Sequence, residues 1–128
     1  LRLLLDTHTL LWWLFDSPFL SGAAEAAISA DGAEVFVSAV SAWEVTTKFR
    51  IGKLPDAQRL AHNFGPDIAL EGFRELAVTV AHAQHSGLMI GAHKDPFDRM
   101  LIAQALAEDL VLVSNEAVFD GFGVKRIW

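Results

Sequence analysis

Three short apolar runs constrain this chain more than any other feature. They are Leu3–Leu5, EVFVS at 34–38 and LVLVS at 110–114. Apolar residues stand side by side in each, as in strands covered on both faces; a strand with one wet face alternates apolar with polar. Weaker strand patterns lie at Glu75–Val78 and Val124–Ile127. Helical patterns fill the intervals: roughly Leu10 to Phe15, Ala23 to Ala30, the segment SAWEVTTKFRIGKL ending near Gly52, residues 56–64 with Pro66 breaking the pattern, and Val80 to Leu88. The stretch PFDRMLIAQALAED carries the strongest helical pattern, after a loop over Gly91–Asp95. Strands alternating with helices predict an α/β fold, a central mostly parallel sheet covered on both faces. In such folds ligands bind at the carboxyl ends of the strands.

Residues 1–128 read as a single domain, long enough for a proper core, with no internal repeat or linker. Hydrophobic residues at 52% against 20% charged exclude a disordered chain. The absence of cysteine excludes disulfides and thiolate chemistry and fits a reducing, cytoplasmic setting. No apolar stretch is long enough to cross a membrane, and Asp6 and His8 interrupt what would otherwise resemble a signal peptide. A net charge of −6 argues against a general nucleic-acid coat protein, but not against a nuclease whose acids hold cations.

Four acids stand where strands end or helices begin: Asp6 after the first run, Glu44 in SAWE after the second, Asp98 in DPFD at the start of the long helix, and Glu116 after LVLVS. Each also has a purely structural reading. Asp6 can cap the next helix, Ser41 and Glu44 fit a capping box, and Asp95 suits an N-cap ahead of Pro96. Asp98 and Glu116 suit the first turn of a helix, where the macrodipole favours acids. Taken together, clustered carboxylates would repel one another and raise their pKa values unless a cation joined them. Oxygen ligands suit Mg²⁺ or Mn²⁺, whereas zinc would favour cysteine and histidine. The chemistry such a site serves best is transfer at a phosphate.

These residues resemble a known family. LLLDTHTLLW, SAWE, HKDPFDRMLIAQA and LVSNEAVFDGFGVKRIW, in that order, look like a PIN-domain ribonuclease, more narrowly a VapC-type toxin of a type II toxin–antitoxin pair. The resemblance implies a three-layer α/β/α sandwich, with Asp6, Glu44 and Asp98 as the acids that bind Mg²⁺ or Mn²⁺. Glu116 falls where many members have Asp, and Asp120 lies four residues too late for that role. Thr7 and Ser114 become hydroxyls supporting the ligands or the substrate, or else helix caps. Hydrolysis of RNA phosphodiesters by metal-activated water, leaving a 5′-phosphate and a 3′-hydroxyl, is implied, as are an antitoxin partner and a homodimer.

Two other phosphotransfer folds fit less well. A haloacid-dehalogenase phosphatase needs Asp-x-Asp where this chain has Asp6-Thr7-His8, and a response-regulator receiver needs paired acids that are missing here. A non-catalytic interaction protein, with all four acids as caps, is the alternative from a different class. Among other residues, Arg99 is placed to clamp a phosphate or to pair at the surface. His82 and His85 share a helical face but lack nearby acids, and His93 and Lys94 fall in a loop. Lys48, Arg50 and Lys53 are the one concentrated basic patch, either completing a helix C-terminus or forming an RNA-backbone rim. Trp12, Trp13 and Trp43 suit core packing or a dimer or antitoxin interface.

Overall fold

The computed structural model describes residues 1–91 and 93–128. Five strands form one sheet, β1 (Arg2–Leu5), β2 (Glu34–Ser38), β3 (Arg74–Leu76), β4 (Val111–Val113) and β5 (Arg126–Ile127), in the order β3-β2-β1-β4-β5. Every pairing is parallel, with Leu3 opposite Val35 on one side and Val111 on the other. The helices are α1 (Thr7–Leu14), α2 (Gly22–Ser29), α3 (Ala39–Arg50), α4 (Gln58–His62), α5 (Phe64–Leu70), α6 (Val80–Leu88) and α7 (Pro96–Glu108).

The two-residue period of a strand explains the layers. Leu3 and Leu5 point to one face, where they meet Leu10 of α1, Ala24 and Ile28 of α2 and Ile68 of α5. Leu4 points to the other, against Val40 of α3 and Leu101, Ile102 and Ala105 of α7. All three leucines are fully buried, each stabilising the fold by about 2 kcal/mol through burial. The result is the expected three-layer α/β/α sandwich.

A polar network pins the second layer to the sheet. Ser38 donates to Gln104 Oε1 at 2.6 Å, and Gln104 Nε2 donates to the Ala77 carbonyl at 3.2 Å. His82 Nδ1 faces two donors, Thr79 N–H at 3.1 Å and Gln104 Nε2 at 3.3 Å, so its proton sits on Nε2 and is donated to Glu108. His82 is therefore a buried structural group completing the capping box of α6, and no metal ligand.

Several local boundaries differ from the sequence expectation. The first helix begins at Thr7 rather than Leu10, because Asp6 caps it. Ser38 caps α3, so Ser41 and Glu44 form no capping box. Pro66 does not break a helix; it sits in the first turn of α5, where its missing N–H costs nothing. β3 is Arg74–Leu76, starting and ending earlier than Glu75–Val78. Within the expected Gly91–Asp95 loop, Ala92 lies outside the described residues. No helix among the described residues is long and apolar enough to cross a membrane.

Candidate active site

The strand order reverses between β1 and β4, which makes their carboxyl ends the natural crevice of this sheet. Asp6 and Ser114 stand at that point, each one residue past its strand. Asp6 N–H donates to the Val113 carbonyl at 3.2 Å, and the Thr9 hydroxyl donates to the same carbonyl at 2.9 Å, so the two strand ends are tied together. Asp6 Oδ1 accepts from Thr9 N–H at 2.8 Å, and the residue is only 2% exposed. Burial pushes its carboxyl above the ordinary range, while hydrogen bonds from Ser114 and Thr9 and the charge of His8 pull the other way. One oxygen of Asp6 therefore caps α1, the structural role its position in the sequence allows.

Glu44 reaches the crevice from the middle of α3. It is 3% exposed, with Oε2 held by Lys48 Nζ at 2.5 Å. Its Oε1 is the one buried side-chain oxygen or nitrogen without a hydrogen-bond partner among the described residues. Capping does not explain a carboxylate here, since Glu44 lies past the first turn and its helix is capped by Ser38. The placement of α3 beside α1 is fixed by a buried hydroxyl pair, Thr7 with Ser41, at 3.0 Å.

Asp98 comes from the first turn of α7, which opens as expected on Asp95 as N-cap and Pro96 at N1. Burial raises its carboxyl to about 6; the hydrogen bond from His93 lowers it, and the charges of Asp95 and Glu44 raise it. The influence of Glu44 on Asp98 marks two acids from different helices facing one crevice. His93 Nε2 meets Asp98 Oδ2 at 2.8 Å, a contact its loop position in the sequence did not suggest.

Glu116 is half-buried, and its N–H donates to Ser114 Oγ at 3.0 Å, on the residue that also bonds Asp6. Asp120 is exposed and paired through both oxygens with Arg126, at 2.8 and 3.0 Å, which holds it well below its usual range. Arg99 gives three of its five N–H donors to the carbonyls of His93, Ser86 and Met89, fastening the loop ahead of α7. Trp12 and Trp13 are both half-buried, with Trp13 packed on Phe73 and donating to Glu71, while Trp43 is 62% exposed.

The donor chemistry fits a hard divalent cation: Asp6, Glu44 and Asp98 are buried or half-buried carboxylates, two with raised pKa, and one carries an orphaned buried oxygen. Among the described residues, no group of three or more His, Asp or Glu side chains is drawn together tightly enough to grip an ion as it stands. Lys48 and His93 each engage one oxygen of an acid. Sequence spacing held a sign of the first, an i,i+4 Glu–Lys pair, but none of the second.

An all-parallel sheet with buried acids at its switch point defines an α/β protein built to hold polar chemistry at one edge. The chain belongs to the PIN domain family, whose model matches residues 3–125. No curated protein sequence matches it significantly. Among solved structures it is similar to VapBC2 from Rickettsia felis bound to a DNA fragment from their promoter, with 15% identity, 98% of this chain and 97% of that chain covered, and a TM-score of 0.65. It is similar to FitAcB from Neisseria gonorrhoeae, at 17% identity, 97% and 95% coverage and a TM-score of 0.66. A toxin–antitoxin complex from Klebsiella pneumoniae is also similar, at 22% identity, 92% and 90% coverage and a TM-score of 0.63. At these identities the likeness is one of fold.

Proposed function

We propose that this chain is a Mg²⁺- or Mn²⁺-dependent endoribonuclease, the toxin of a toxin–antitoxin pair acting in the cytoplasm. The observation that carries the reading is the unpartnered Oε1 of Glu44, a buried carboxylate whose charge acts on that of Asp98, with Asp6 buried at the end of β1. A buried acceptor left unsatisfied costs about 1–3 kcal/mol, more when charged, so its retention points to a ligand. Membership in the PIN domain family, whose members are nucleases, supports hydrolysis, and the structural neighbours that are toxin–antitoxin complexes support an antitoxin partner.

Asp6, Glu44 and Asp98 would hold the ion, with Glu116 as the fourth acid of the set. When bound, the ion supplies Lewis acidity toward a phosphoryl oxygen and a water of lowered pKa. The residues of the chain do the rest. Ser114 and Thr9 orient Asp6, and the Thr7–Ser41 bond sets α3 against α1. Arg99 fixes the loop that presents His93 to Asp98. A homodimer belongs to the same reading, and exposed Trp43, edge-on to Phe97 at 4.9 Å, is a candidate contact for either partner. The alternative of a non-catalytic interaction protein would make all four acids caps; Asp6 is a cap, but Glu44 is not.

The test is cleavage of a labelled pool of structured RNA with Mg²⁺ or Mn²⁺, run beside EDTA and the Asp98→Asn variant, with metal binding followed by calorimetry. Metal-dependent cleavage that both controls abolish is the expected result. No cleavage and no metal heat would overturn the reading in favour of an interaction protein.

A further inference from the structure

Beside the acid cluster, a cavity of about 260 Å³ is lined by Thr7, His8, Glu44, Lys48 and Lys53. In a chain of net charge −6, this cavity gathers two lysines, and its only acid is Glu44. The gathering is built by the backbone. Gly52 adopts φ +81°, a conformation open to glycine, and the chain doubles back so that Lys53 N–H donates to the Lys48 carbonyl at 2.8 Å. Lys53 forms no ion pair among the described residues. Lys48 gives one of its three ammonium donors to Glu44, which leaves two for another acceptor.

We propose that Lys48 and Lys53 form a phosphate subsite for single-stranded RNA, holding a backbone phosphate next to the one at the acid cluster. The inference rests on the nuclease reading and deepens it. Glu44 lines this cavity and also belongs to the acid cluster, so a strand with one phosphate at the acids has a neighbouring phosphate within the lysines' reach. Compact ammonium charges suit that phosphate. The exposed ring of His8, which also lines the cavity, stacks on Trp12, with centroids 5.7 Å apart and planes 21° from parallel. A cationic groove beside a flat ring is the combination that binds single strands without reading sequence.

The test is fluorescence anisotropy of a labelled single-stranded RNA in EDTA, where binding is read without cleavage, over a series of KCl concentrations. The wild type is compared with Lys48→Gln, Lys53→Gln and Lys125→Gln, each checked for an unchanged fold by circular dichroism. Lys125 pairs with Asp109 away from the cavity and serves as control. The slope of log affinity against log salt should fall by about 0.7 for each cavity lysine removed and stay unchanged for Lys125. Lys53→Gln keeps the result readable if Lys48→Gln disturbs Glu44. Unchanged slopes in both cavity variants, or no RNA binding by the wild type, would overturn the subsite. Unchanged slopes with weakened antitoxin binding would assign the cavity to a protein partner instead. Cleavage in Mn²⁺ is scored separately: a wild type that cleaves with unchanged variant slopes refutes the subsite alone, and one that binds with altered slopes but never cleaves refutes the nuclease reading alone.

Discussion

Asp98→Asn should make the metal-free protein more stable at neutral pH, although it removes one of the acids proposed to hold the ion. The Asp98 carboxyl rises from 3.8 to about 6 in the folded chain, chiefly by burial. That difference corresponds to about 3 kcal/mol if fully expressed, and partial solvent screening reduces it to about 1–2 kcal/mol. Because the folded-state pKa is the higher one, the folded protein holds the proton more tightly. Stability therefore falls as pH rises from about 4 to 6, and the full penalty persists above 6. Asparagine never ionises, so the variant escapes it. Against this stands the lost attraction of the charge to the first turn of α7, about 0.5 kcal/mol. The net gain of about 1 kcal/mol amounts to a Tm about 3–5 °C above the wild type for a chain of this size. Thermal melts of both proteins in EDTA at steps between pH 4 and 8 measure it. The gap should open between pH 4 and 6 and then hold. A gap that is flat across the range, or a variant less stable at pH 8, would refute the assignment of Asp98 as a charge strained by burial.

Manganese should reverse the order, raising the Tm of the wild type with concentration and leaving Asp98→Asn nearly unmoved in the same melts. Lys48→Met should cost about 1–2 kcal/mol in urea denaturation, since it strips the counter-charge from a buried carboxylate, and adding Glu44→Gln should recover most of that loss. Gln104→Leu should cost about 2–3 kcal/mol by the same method, leaving Ser38, His82 and the Ala77 carbonyl short of a partner. Arg99→Ala should speed amide exchange around Ser86 to Met89 without altering the salt slope of RNA binding; an altered slope would assign Arg99 to the substrate.

The layers were legible because strand burial is written in consecutive letters: Leu3, Leu4 and Leu5 have no polar neighbour among them, so both faces had to be covered. Asp6, Glu44 and Asp98 were legible as candidates because strand ends and helix starts can be located from pattern. What pattern could not carry was partnership. Nothing in the letters around Arg99 says that three carbonyls will claim its guanidinium, or that His93 will turn toward Asp98. Pro66 misled because proline forbids a helix interior yet welcomes a first turn, and only the start of α5 decides between them. Ser38 and Ser41 were equally good caps by type; the end of β2 at Ser38 chose between them.

The central place of β1 has a consequence for the order of assembly. As the chain emerges from the ribosome, β1 comes first and gains β2 early, but its other edge waits until Val111, Leu112 and Val113 have been made. Asp6, Glu44 and Asp98 all precede that point, while Ser114 and the Val113 carbonyl that steady Asp6 follow it. A nascent chain thus carries Asp6, Glu44 and Asp98 before the strand that seats Asp6 exists, and the arrangement is completed only when the sheet closes.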